Sequence, residues 1–112
     1  MKRFCFALDL KDDPDLIAEY EAHHRAVWPE ILESMYLSGI INMQIYRVAT
    51  RLFMIMETKD DFSFEIKAMR DNADATVQRW ESLMWNYQQA LPTAEPGQKW
   101  IPMKKIFEFE AK

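Results

Sequence analysis

Glycine is scarce in this chain, with 2 among 112 residues. Phosphate-cradling loops and dinucleotide-binding turns need several glycines close together, so neither nucleotide signature is present. One cysteine, Cys5, rules out an internal disulfide and any CxxC motif. A lone thiol in a run such as Phe4-Cys5-Phe6 reads as a small buried residue in a protein of the reducing cytosol. The 2 histidines, His23 and His24, are adjacent. Neighbours on a helix point about 100° apart and cannot both face one ion, and no HExxH spacing occurs, so no metal site is expected. None of Ser34, Ser38, Ser63 or Ser82 sits in a nucleophile elbow. Basic runs are missing and the net charge is −4, which argues against nucleic acid as a partner. No apolar stretch reaches signal-peptide or membrane-spanning length. The expectation is a soluble, cytoplasmic protein without a membrane partner.

What the chain has in quantity is aromatic and methionine bulk: 4 Trp, 4 Tyr, 7 Phe and 8 Met. A single domain over residues 1–112 needs less than this for one small core. A pocket, a subunit interface or both would absorb the surplus.

The order of elements reads as βαββαβ. Lys2 to Leu10 alternates, with Phe4, Phe6, Leu8 and Leu10 on one face and Cys5 and Ala7 on the other. Asp13 followed by Pro14 is a helix start. Ile17, Tyr20, His24, Trp28, Ile31 and Met35 recur at steps of three or four, the inward stripe of a helix. Pro29 interrupts it, so the helix kinks or restarts near Trp28 and His24 lies beside the discontinuity. Ser38-Gly39 ends the segment. Ile40–Val48 and Leu52–Glu57 read as strands joined by a short hairpin at Ala49-Thr50-Arg51. Leu52-Phe53-Met54-Ile55-Met56 is apolar on both faces, so both faces should be covered, one by helices and one by a second subunit. A short helix over 61–69 and a longer one from Asn72 or Asp74 to about Ala90 follow, the latter with Val77, Trp80, Met84 and Tyr87 inward. Pro92, Pro96-Gly97 and Pro102 mark a loop, and the alternating run Met103–Glu110 reads as the last strand. The fold class is α+β, a ferredoxin-like sandwich.

One constellation carries chemistry. Tyr20 and His24 are four apart and share a helix face, while His23 points elsewhere. An imidazole titrating near neutrality beside a phenol, in a pocket, can pass protons in either direction. A hydrogen-bonded core histidine in an aromatic stripe fits the spacing equally. Trp80, with Arg79, Glu81 and Asn86 nearby, has the aromatic-plus-polar character of a sugar site, and a solvated helix face accounts for the same polar residues.

The segment Tyr20-x-x-x-His24-x-x-x-Trp28-Pro29-Glu30 resembles the N-terminal signature of the L-rhamnose mutarotase family. Gly39 and Asn42 ahead of the second strand, Leu52-Phe53, Arg79-Trp80 and the loop from Leu91-Pro92 to Trp100 extend the likeness over nearly the whole chain. The resemblance implies a ferredoxin-like fold that dimerises through its sheet as a dimeric α/β barrel. It implies interconversion of the α and β anomers of a deoxyhexose such as L-rhamnose or L-fucose, with no metal or organic cofactor. It places the catalytic histidine at His24 and a sugar-binding tyrosine at Tyr20. Of a tryptophan pair expected in the pocket, only Trp80 is present, with Glu81 in the second place, and a further tyrosine is replaced by Met43.

The chemistry agrees with the resemblance. Mutarotation removes a proton from the anomeric hydroxyl and delivers one to the ring oxygen. His24 is the expected proton donor, Tyr20 hydrogen-bonds the sugar or orients His24, Trp80 stacks on the ring, Met43 and Glu81 contact substrate, and the second proton-handling group is left open among a water, Tyr20 and Glu81. Two rival readings are a monooxygenase-like dimeric α/β-barrel enzyme and a non-catalytic small-molecule-binding dimer.

Overall fold

A computed structural model describes residues 1–112. The order is β1 (Lys2–Leu10), α1 (Pro14–His24), α2 (Pro29–Leu37), β2 (Ile40–Val48), β3 (Arg51–Thr58), α3 (Phe64–Ala73), α4 (Ala75–Trp85), β4 (Gln88–Gln89) and β5 (Ile101–Pro102). The strands form one antiparallel sheet in the order β2-β3-β1-β4, with β5 also paired to β1. The architecture is mixed α+β and ferredoxin-like, with an open sheet and not a closed barrel.

Local chemistry explains the helix boundaries. Asp13 caps α1, its carboxylate accepting from the backbone N–H of Asp15 and Leu16, and Pro14 occupies a first-turn position where no donor is lost. The expected break before Pro29 is present: α1 stops at His24 and α2 restarts with Pro29 in its first turn. Ser63 and Asp74 cap α3 and α4 through their side chains. Gly39 closes α2 at φ +94°, a conformation that costs other residues strain, and its carbonyl accepts from Lys59 N–H.

One face of the sheet carries the helices and the core. Leu8 and Leu52 are cross-strand partners and almost wholly buried. Burying such a side chain contributes about 1.5–3 kcal/mol. Leu10, Tyr20, Ile31, Val77, Trp80, Met84 and Tyr87 join them in one cluster. Phe6, Ile40, Met54, Met56 and Phe62 form a second, and Met35, Ile45 and Trp100 touch both.

Two sequence expectations fail here. The helix expected to reach Ala90 stops at Trp85, and the chain turns at Asn86 and Tyr87 into the two-residue β4. Met103–Glu110 is not a strand. Only Met103 N–H bonds the sheet, at Cys5 O, and beyond it Ile106, Phe107 and Phe109 are exposed. Alternation marks a segment able to enter a sheet, but it does not by itself make the segment pair, and the β1 edge beside this one is taken up only as far as Cys5.

Candidate active site

Tyr20, His24, Met43, Trp80 and Glu81 all line one cavity of about 720 Å³, between the helices and the sheet. That is within the usual range for a small-molecule site. Of its 22 lining residues 16 are hydrophobic, so its few polar groups are the ones that can orient a ligand. Helix α1 supplies Tyr20 and His24, β2 supplies Met43, and α4 supplies Trp80 and Glu81.

Tyr20 and His24 do stack, their rings 4.3 Å apart. His24 Nδ1 lies 2.9 Å from the Tyr20 carbonyl oxygen. A carbonyl only accepts, so Nδ1 carries a proton and, in the neutral ring, Nε2 presents a lone pair. Burial pushes the His24 pKa below its ordinary 6.5, partly offset by the bond to the Tyr20 carbonyl, with His23 adding a small further depression. The resting side chain is therefore a neutral imidazole with Nε2 as its open acceptor. Burial also pushes the Tyr20 phenol up to about 12, so its O–H stays protonated. Gln88 Nε2 donates to the phenol oxygen at 3.4 Å, leaving the phenolic hydrogen free to donate elsewhere.

Trp80 sits edge-on to its neighbours: 5.1 Å from Trp28, 5.9 Å from His24 and 6.4 Å from His23, centroid to centroid. His23 lies outside the cavity, as its position on the helix implies, but it is not idle. Its Nε2 shares a hydrogen bond of 3.1 Å with the buried Tyr87 hydroxyl. Glu81 has a protein partner: Lys99 Nζ lies 2.6 Å from its Oε2 and 3.0 Å from its backbone oxygen, and 4.8 Å from the centre of the Trp85 ring. Lys99 is half-buried, and burial lowers its pKa against the raising effect of Glu81. Sequence reasoning missed Lys99, Gln88 and Trp100. Lys99 and Trp100 sit in an irregular loop without periodicity, and Gln88 falls where the helix was expected to continue.

The pH dependence has a definite sign. Because burial disfavours the imidazolium, His24 stays neutral below pH 6.5. Activity that needs Nε2 unprotonated should hold through pH 6.5 and fall only at lower pH. Stability follows the same side. The unfolded chain takes up this proton at about pH 6.5 and the folded chain does not, so His24 opposes folding increasingly as pH drops below that value. A pH–rate profile of kcat/KM checks this, and an acid limb centred above 6.5 contradicts it.

The model of the L-rhamnose mutarotase family matches residues 3–109. The chain belongs to that family. Membership makes it an isomerase that interconverts sugar anomers. Its mutarotase relatives include an L-fucose mutarotase of Xanthomonas campestris, 46% identical over 109 residues, 96% of this chain and 87% of the relative. An L-rhamnose mutarotase of Phocaeicola vulgatus is 30% identical over 98% of this chain and 100% of its own. The crystal structure of the L-rhamnose mutarotase of Formosa agariphila superposes with a TM-score of 0.72 at 19% identity, covering 98% of this chain and all of that one. Tetracenomycin F2 cyclase from Streptomyces glaucescens shares the fold at a TM-score of 0.60 and 16% identity, each chain wholly covered.

Proposed function

We propose that this mutarotase acts on L-fucose, with His24 and Tyr20 as the proton-handling pair, and works as a cytoplasmic homodimer. The observation that carries the chemistry is the tautomer lock: His24 Nδ1 is tied to the Tyr20 carbonyl, so Nε2 is free in a cavity it shares with a protonated phenol. His24 Nε2 takes the proton of the anomeric hydroxyl. As the bond from the anomeric carbon to the ring oxygen breaks, Tyr20 O–H delivers a proton to that oxygen. The open-chain aldehyde turns about its first carbon–carbon bond. Reclosure returns the ring-oxygen proton to Tyr20 and the His24 proton to the new anomeric hydroxyl, and no proton is gained or lost. Acid–base groups typically contribute about 10²–10⁴-fold each, enough for a reaction that already runs slowly in water. Trp80 is only 6% exposed, so it serves the sugar as a wall and as the support of His24 more than as a stacking platform.

The choice of L-fucose draws on the 46% identity to an enzyme of that name. Met43 and Glu81 also depart from the tyrosine and tryptophan that the family resemblance leads one to expect. Saturation-difference NMR of anomer exchange on L-fucose and L-rhamnose tests the reading. L-Fucose should exchange faster with enzyme than without it, and by a larger factor than L-rhamnose. Equal factors would overturn the choice of sugar.

Support for the dimer comes from surfaces that one protomer leaves open. Phe53 and Ile55 of β3 are half-buried on the helix-free face, Ile41, Tyr46 and Val48 of β2 are exposed, and so are Ile106, Phe107 and Phe109 of the C-terminal arm. A second copy accounts for both the open face and the unpaired arm. Light scattering should report twice the protomer mass at micromolar concentration, and a chain ending at Met103 should report less. A strict monomer from the full chain would sink the proposal.

No helix is long and apolar enough to cross a membrane.

A further inference from the structure

Gln88 is the one cavity residue with a buried polar atom left over. It is 4% exposed, and its backbone is fixed by the pairing of β4 with β1, opposite Leu10. The side chain enters the cavity beside Tyr20, where Nε2 donates to the phenol oxygen. Its Oε1 is buried and has no hydrogen-bond partner. Exchanging the amide oxygen and nitrogen does not remove the problem. One of the two polar atoms then bonds Tyr20 and the other is still unpaired. An unsatisfied buried amide atom is destabilising, and an apolar residue of the same shape would avoid that cost. The other polar groups of this wall are already occupied: Lys99 is spent on Glu81, and His24 Nδ1 on the Tyr20 carbonyl.

We propose that the free atom of the Gln88 amide is the hydrogen-bond partner of a sugar hydroxyl remote from the anomeric carbon, at C3 or C4, which makes Gln88 a specificity residue. The inference rests on the mutarotase reading and deepens it. A pyranose is about the size of a phenol ring. Placed with its anomeric hydroxyl at His24 and its ring oxygen at the Tyr20 hydroxyl, it turns the C4 side of its ring, across C5 from that oxygen, toward the amide bonded to the phenol. One amide then holds two things at once. Its first polar atom keeps the Tyr20 oxygen in place, and its second reads whether a hydroxyl is present on the substrate. A site built to bond a hydroxyl rejects an analogue lacking it, because its own polar atom is left stranded.

The test is a cycle of one substitution and one deleted hydroxyl. Wild type and Gln88→Leu are titrated with L-fucose and with its 2-deoxy, 3-deoxy and 4-deoxy analogues, and anomer exchange is followed by NMR on the same samples. For wild type, either the 3-deoxy or the 4-deoxy sugar should bind about tenfold more weakly than L-fucose, and the 2-deoxy sugar should not. For Gln88→Leu that difference should vanish while exchange remains measurable. Gln88→Glu, which keeps an acceptor, should restore part of it. Uniform weakening of all four sugars by Gln88→Leu would mean that Gln88 only supports Tyr20, and would overturn the inference. So would an unchanged difference, or one carried by the 2-deoxy sugar. A wild type that accelerates no aldose overturns the mutarotase reading itself, and this proposal with it. A wild type that exchanges anomers without a Gln88-dependent difference overturns this proposal alone.

Discussion

His24→Ala is expected to lose the enzymatic acceleration of anomer exchange, a fall of about 10²–10⁴-fold for the removal of one acid–base group. The reason is positional. Nε2 is the free nitrogen of a ring whose other nitrogen is committed to the Tyr20 carbonyl. No other side chain in the cavity offers a neutral base: Tyr20 is held protonated and Lys99 is paired with Glu81. His23→Ala is the informative control. It should leave exchange within a few-fold of wild type while lowering stability by about 0.5–1.5 kcal/mol, the worth of the His23–Tyr87 hydrogen bond. NMR exchange rates and thermal melts on both variants decide the matter. Exchange within tenfold of wild type in His24→Ala would falsify the assignment of the base.

Trp80→Ala should have the largest effect on stability of any single change at the site, about 3–5 kcal/mol. Trp80 is where α1, α2 and α4 meet. Its ring touches both histidines of α1 and Trp28 at the start of α2, and it is buried in the main core cluster. Truncation leaves a cavity ringed by rigid aromatic edges that cannot close in. For a domain of this size the melting temperature should drop by roughly 10–20 °C. Trp80→Phe keeps an aromatic edge against His24 and should recover much of the loss. A melt showing less than about 1 kcal/mol lost in Trp80→Ala would contradict the packing account.

The parts of this fold that were legible in the sequence are those decided by local chemistry. Asp13-Pro14 specifies a helix start wherever it falls. Pro29 forces a break that no tertiary contact can mend. The alternation of β1 and the hairpin of β2 with β3 needed only periodicity and turn residues. Tyr20 and His24 could be paired because four residues on a helix is a short, rigid ruler. What the sequence hid was decided by contacts remote along the chain. The stretch after Trp85 keeps a helical pattern, yet Tyr87 is drawn into the core and Gln88 pairs with Leu10, and these contacts outweigh propensity. Lys99 is a charged loop residue like any other until the fold sets it beside Glu81 and Trp85. The arm after Met103 has the alternation of a strand, yet only Met103 bonds the sheet, and alternation alone does not decide whether a segment pairs.

The Lys99–Glu81 contact has one more consequence. The wall of the cavity is otherwise mainly apolar, and apolar packing responds little to dilute electrolyte. The ion pair does respond, because its Glu81 end is 45% exposed and within reach of mobile counterions. Added sodium chloride therefore acts on the latch that ties Lys99, in the 91–100 segment, to α4. Loosening it should leave the acid–base pair untouched and free the Lys99–Trp100 stretch of the cavity wall, an effect that a salt titration of sugar binding would read.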